Sequence, residues 1–142
     1  MMERKATAMW EGDLKGGKGK LKLGTGAFEG PYTFKSRFEG NGDTSPEELI
    51  GAAHAGCFSM ALTAALVKAG FEPTRVKTDA KVFLDKVNDI FNINKVELMT
   101  EAEVPKIDET KFLALAETAR KDCIVSKALT GVNTTLTAKL VG

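Results

Sequence analysis

The sequence predicts an α+β fold: mostly antiparallel sheets, a long central helix and a second helix after it. Three observations carry this. Glycine breaks the first third into short pieces at Gly12, Gly16, Gly17, Gly19, Gly24, Gly26, Gly30, Gly40 and Gly42, which fits short strands joined by turns. A run of small and apolar residues, Leu49 to Val67, carries no formal charge with His54 neutral, which fits a helix apolar on most sides. Beyond it, two long segments alternate apolar and polar side chains. At 142 residues the chain suits one domain, 1–142, and is short for two.

Taken in order, Ala6, Ala8 and Trp10 alternate with Lys5, Thr7 and Met9, as in a strand. Tyr32, Phe34, Ser36 and Phe38 alternate with Thr33, Lys35, Arg37 and Glu39, which predicts a strand with its aromatic face to a core and Arg37 on the other side. Ser45 suits an N-cap, Pro46 the first helical position and Glu48 the third, completing a capping box. Gly70 supplies the stop. The helix is expected over 46–69, about 36 Å long. Val76, Thr78, Ala80, Val82 and Leu84 then mark one strand, and Val96, Leu98, Thr100, Ala102 and Val104 the next, with a hairpin turn at "VND". Asp108 can cap a second helix to Lys121, with Phe112, Leu113, Leu115, Ala116 and Ala119 apolar. Cys123 opens the short segment "CIVSKAL", and Val132, Thr134, Leu136, Ala138 and Leu140 mark a last strand.

Twenty basic and 19 acidic side chains leave a formal net charge of +1, so neither nucleic acid nor an anionic membrane is an expected partner. The run from Leu49 to Val67 reaches transmembrane length. Its alanine and glycine content, with His54, Ser59 and Thr63 inside it, favours a buried helix instead. The two cysteines have no zinc-ligand spacing and allow one intrachain disulfide at most. "MMERKATAMWEG" lacks the apolar core of a signal peptide, so the expectation is cytoplasmic. In that reducing setting a disulfide is usually transient, catalytic or redox-sensing.

The stretch "PEELIGAAHAGCFSMAL", Pro46 to Leu62, holds the only histidine, His54, and Cys57. Burial alone would raise the pKa of Cys57 and keep it inert, and free cysteine is often simply core. A reactive Cys57 needs a cation. Arg37 is the best placed arginine, feeding the helix through a short loop, and a carboxylate must hold it, Glu47 or Glu48. His54, three residues before Cys57, orients or packs in the simplest reading. A cysteine hydrolase with His54 as base lacks an orienting third group. Glu47 precedes Cys57 by about 15 Å of helix axis, so the two cannot meet within one straight helix. Gly51, Ala52, Ala53, Ala55 and Gly56 between them let another segment approach closely. Either two copies of this helix cross antiparallel in a homodimer with shared sites, or a strand or helix of the same chain sits there.

"SPEELIGAAHAGCFSMAL", "AMWEGDLKGGKG", "PYTFKSRFEG", "LDKV", "EAEVPKID" and "CIVSKAL" together resemble the family of osmotically inducible protein C and organic hydroperoxide resistance proteins (OsmC/Ohr), over nearly the whole chain. The resemblance implies an intertwined homodimer and a thiol peroxidase without metal, haem or flavin. Carried over by position, Cys57 is the peroxidatic cysteine and Cys123 the resolving one. Glu47 holds Arg37, the arginine of the OsmC branch. The loop where the Ohr branch keeps its arginine has Lys15 and Lys18. Many relatives have proline after the second cysteine, where this chain has Ile124, a change expected to loosen that turn. The implied cycle forms a Cys57 sulfenic acid and then a Cys57–Cys123 disulfide, which an external dithiol or lipoyl-type reductant reopens. Apolar neighbours (Phe38, Leu49, Ile50, Phe58 and Met60), with His54, would form a pocket for organic hydroperoxides in preference to hydrogen peroxide. The competing class is a non-catalytic binding or scaffold dimer with idle structural cysteines.

Overall fold

The computed structural model describes residues 1–40 and 42–142. The chain divides into two compact units, Met1–Leu49 and Ile50–Gly142. In the first, β1 (Ala6–Glu11), β2 (Lys18–Leu23) and β3 (Glu29–Tyr32) form an antiparallel sheet in that order. Gly19 pairs with Trp10 on one side and Tyr32 on the other. The two rings close over it, with centroids 5.4 Å apart, and a Cβ at Gly19 would come within 2.8 Å of the Trp10 ring. Only glycine leaves room for that aromatic lid.

The alternation of Tyr32 to Glu39 does not make a strand. Phe34–Phe38 is a short helix, α1, and Arg37 sits on it. Thr33 is its N-cap: the Thr33 hydroxyl accepts from the Ser36 N–H at 2.9 Å, and Ser36 Oγ accepts from the Thr33 N–H at 2.8 Å. This is a capping box with serine in the usual glutamate place. The pattern was ambiguous because Phe34 and Phe38 are four apart. They share a face in a strand and in a helix alike, and their rings meet at 4.8 Å. The local caps decide for the helix.

Helix α2 runs Pro46–Lys68, one residue short of expectation. Ser45 Oγ accepts from the Glu48 N–H at 3.1 Å, while the Glu48 carboxylate takes the Thr44 hydroxyl at 3.0 Å. Gly70, at φ +93°, ends the helix in a Schellman turn: Phe71 N–H bonds Leu66 O and Gly70 N–H bonds Val67 O. Gly51, His54, Phe58, Leu62 and Leu66 form the buried stripe of α2 within the second unit, spaced as about 3.6 residues per turn requires. Ala52, Ala53, Gly56, Met60, Ala64 and Val67 stay uncovered. By length and hydropathy, α2 is the one helix among the described residues that could cross a membrane.

The second unit is built on β4 (Arg75–Val87), β5 (Ile90–Glu103) and β6 (Asn133–Val141). Asn88 and Asp89, at φ 52° and 63°, make the two-residue hairpin turn that pairs Val87 with Ile90. β6 joins β5 in parallel, so the sheet is mixed. A parallel pair needs a long crossover, here α3 (Glu109–Asp122) and α4 (Ile124–Ala128). The Asp108 carboxylate caps α3 by accepting from the Lys111 N–H at 2.8 Å. Val96, Leu98 and Ala102 of the sheet pack with Phe58, Leu62 and Leu66 of α2 and Phe112, Ala116 and Ala119 of α3. Leu113, expected on the apolar face of α3, is exposed.

Candidate functional site

The crossover brings Cys123 to α2. Cys123 is at once the C-cap of α3 and the N-cap of α4. Its N–H bonds Ala119 O at 2.9 Å and its carbonyl accepts from Lys127 N–H at 3.0 Å. These bonds hold the turn without proline, and Ile124 is the exposed first residue of α4. The two free thiols, Cys57 half-buried and Cys123 buried, stand 3.1 Å apart, sulfur to sulfur.

Their electrostatics differ. Burial pushes the Cys57 thiol up, and the nearby Cys123 adds to this; the Val125 and Ile124 N–H groups oppose it without prevailing. Burial also pushes against charge on Cys123, but the Ser126 hydroxyl and N–H, with Cys57 and the Val125 N–H, bring it below its ordinary value. The sulfur closes no formal helix cap; it lies where these donors favour its charged form. Within this unit, Cys123 is therefore the better place for the negative charge of the pair.

His54 is wholly buried. Its Nε2 lies 2.6 Å from Ser126 Oγ, and its Nδ1 has no hydrogen-bond partner among the described residues. Burial pushes its pKa below 6.5, so the ring is neutral at pH 7. Cys57 opens on a groove of about 730 Å³ between α2 and α3, lined by Met60, Ala61, Ala64 and Ala65 on one side and Leu115 and Ile124 on the other, with Lys68 and Asp122 as its charged members. None of the expected pocket residues Phe38, Ile50, His54 and Phe58 is among those lining this groove. Phe58 and His54 belong to the buried stripe of α2 and are fully enclosed. Cys57 belongs to the neighbouring flank with Ala61, Ala64 and Lys68, so its walls are mostly small. Ile50 is half-buried near the helix start and is not a wall of this groove. Phe38 lies in the first unit beside Arg37, whose guanidinium sits 5.4 Å from the ring centroid. Met60, expected from the sequence, does line the groove; Ser126 and the other walls were not expected, though helical spacing from Cys57 could have found Ala61 and Ala64.

Arg37 and Glu47 meet in the first unit, Nε donating to Oε1 at 2.8 Å. Glu47 is buried, and its Oε2 has no hydrogen-bond partner among the described residues. Among the described residues, no three His, Cys, Asp or Glu side chains gather as a metal site would need.

The family model for "OsmC-like protein" matches residues 39–137. The chain belongs to the OsmC family. It is 49% identical over 129 residues, 90% of each chain, to the Escherichia coli K12 protein named Peroxiredoxin OsmC, and equally to its Shigella flexneri counterpart. Among solved structures, this OsmC-family chain is similar to an organic hydroperoxide resistance protein from Elizabethkingia anophelis, with a TM-score of 0.78, 24% identity and coverage of 99% and 98% of the two chains. It is similar also to an OsmC protein from Legionella pneumophila, with a TM-score of 0.71, 22% identity and coverage of 95% and 96%. At these identities the two structures speak to the OsmC fold alone.

Proposed function

We propose that this protein is a cysteine-based peroxidase that reduces organic hydroperoxides, and hydrogen peroxide less well. The observation that carries this is the pair of free thiols 3.1 Å apart at the wall of an apolar groove, in a chain half identical to a peroxiredoxin. The Cys57 thiolate attacks the terminal oxygen of the hydroperoxide. An S–O bond forms, the O–O bond breaks, and the alkoxide leaves and takes a proton to become the alcohol. Cys123 then attacks the sulfenic sulfur of Cys57; the S–S bond forms, and hydroxide leaves as water with the proton that Cys123 gives up. A dithiol or lipoyl-type reductant restores both thiols. No metal or organic cofactor takes part. Free thiols as the working state suit a reducing compartment, the cytoplasm.

Cys57 is disfavoured as a thiolate by its own surroundings, so the first step needs a cation. We assign this to Arg37, held by Glu47. Because Arg37 and Glu47 are bonded within one chain, they act as one piece. Glu47 stands about 15 Å along α2 from Cys57. We therefore assign the pair to the second subunit of a homodimer in which α2 packs against its copy. The uncovered small-residue face around Gly56 supports this. Gly51 serves the other purpose, since a Cβ there would lie 3.3 Å from Val82 Cγ2 of β4.

The test is intact mass with thiol counting after one equivalent of cumene hydroperoxide. Loss of two hydrogens with both thiols gone is expected for the native chain. Cys57→Ser is expected to abolish peroxide consumption. Cys123→Ser should allow one turnover and then let Cys57 proceed to sulfinic acid. Unchanged thiols in the native chain would instead mean a scaffold dimer with idle cysteines.

A further inference from the structure

The groove on which Cys57 opens has ends of opposite chemistry. Along α2, Cys57, Ala61, Ala64 and Lys68 follow one another at four, three and four positions, which is one stripe of a helix. Along α3, Lys111, Leu115, Thr118 and Asp122 repeat those spacings. All of these but Lys111 line the groove. Asp122 adjoins Cys123, whose sulfur is 3.1 Å from that of Cys57, so Asp122 and the thiols share one end and the two stripes run in opposite directions. The other end is cationic. Lys68 is in the last turn of α2. Phe71, whose N–H closes the Schellman turn of α2 on Leu66 O, draws Lys111 to the same place: the Lys111 ammonium lies 5.3 Å from the Phe71 ring centroid. Both lysines are exposed, and neither is in an ion pair among the described residues.

We propose that Lys68 and Lys111 are specificity-determining residues: they hold the carboxylate head of a long-chain hydroperoxide whose apolar chain lies in the groove and whose peroxide reaches Cys57. The proposal rests on the peroxidase reading above and names which organic hydroperoxide the site prefers. Length comes first. Cys57 and Lys68 are eleven positions apart on α2, about 16 Å of helix axis. An extended chain advances about 1.2 Å per bond, so about a dozen bonds separate head from peroxide. Between the two ends the walls are Ala61, Ala64, Ala65 and Leu115, with the Thr118 hydroxyl, and a hydrocarbon chain gains by leaving water there. Charge sets the direction. A carboxylate at the thiol end would meet the carboxylate of Asp122, whereas at the far end it meets two cations. Head and lysines all keep water around them, so the preference is modest and salt-sensitive.

The test measures how fast the Cys57 thiol of the full chain is lost in a single turnover without reductant, so that re-reduction does not enter. The probes are the 13-hydroperoxide of linoleic acid and its methyl ester, at low micromolar concentration, below micelle formation. They share chain and peroxide and differ in charge. The ratio of the acid's rate to the ester's cancels any general effect of a substitution on the thiols. For the native chain at low salt a ratio of about five is expected from two exposed pairs, falling toward one in about 0.5 M sodium chloride. Lys68→Met and Lys111→Met keep an apolar stem and are each expected to lose part of the ratio, and the double variant all of it. Lys68→Arg keeps the charge and is expected to keep the ratio, while Lys68→Glu lowers it further. Should the variants misfold, the salt series on the native chain decides alone. A native ratio of one, a ratio indifferent to salt, or the native ratio retained in the folded double variant would overturn the proposal. A native chain whose Cys57 reacts with neither probe nor with cumene hydroperoxide would instead overturn the peroxidase reading.

Discussion

His54 is the only histidine of the chain, which makes its titration readable against the whole protein. Burial pushes its pKa below 6.5, because an imidazolium would lose its hydration inside the core. The unfolded chain therefore takes up this proton first as pH falls. Stability from keeping His54 neutral is full above about pH 6.5 and declines below it, toward the lowered folded value. Between about pH 6.5 and 5, where most carboxylates are still ionised, this decline is that of one proton taken up by the unfolded chain. Urea melts across this window are expected to show that decline in the native chain and a flatter line in His54→Gln. An equal slope in both would place the acid sensitivity in carboxylates. The same residue shows why a sequence can disclose a histidine and hide its role. Ser126 is 72 positions away and meets His54 only through the parallel crossover, so no local spacing points to it.

At the scale of elements, what could be read depended on whether caps and periodicity agreed. α2 and α3 were legible to within a residue or two because Ser45, Gly70 and Asp108 stand where helix ends need them. β4 and β5 were legible because their alternation is long. α1 was not, since Phe34 and Phe38 satisfy both periods and only the Thr33–Ser36 box separates them. The walls of the groove were hard to read for a related reason: bulky Phe58 stands out in the sequence, but its turn of α2 faces the sheet. Under the proposed function α1 also matters for chemistry, because it carries Arg37 within a helix of only five residues. Thr33→Ala removes one arm of the box and is expected to cost about 1 kcal/mol, read as a lower denaturation midpoint. With Arg37 less firmly placed against Glu47, kcat/KM for cumene hydroperoxide is expected to fall by more than that loss of stability would explain at room temperature. A normal kcat/KM alongside the shifted midpoint would separate α1 from the reaction.

On the scale of the whole molecule, the decisive feature is an inconsistency within one chain. α2 from Leu49 to Val67 lacks formal charge, yet only 28% of its most apolar window is buried. A large uncovered apolar face marks an interface. Glu47 and Cys57 are ten positions apart in the sequence of α2, and the proposed antiparallel crossing of two copies would cover the face and complete both sites together. This arrangement can be read by complementation. A Cys57→Ser chain keeps Arg37 and Glu47, and an Arg37→Ala chain keeps Cys57. In a mixed dimer with shared sites, the intact cysteine meets the intact arginine once, while the other site lacks both. Random pairing makes about half of the dimers mixed, so about a quarter of native activity is expected from two inactive parents. Were Arg37 to serve the Cys57 of its own chain, neither site of the mixed dimer would be whole, and co-refolded mixtures would stay as inactive as the parents. Co-refolding the two chains at equal concentration, separating the mixed dimer by a tag on one of them, and measuring cumene hydroperoxide turnover per dimer decides between these outcomes, because half-native turnover in the purified mixed species has no source other than a site built from two chains.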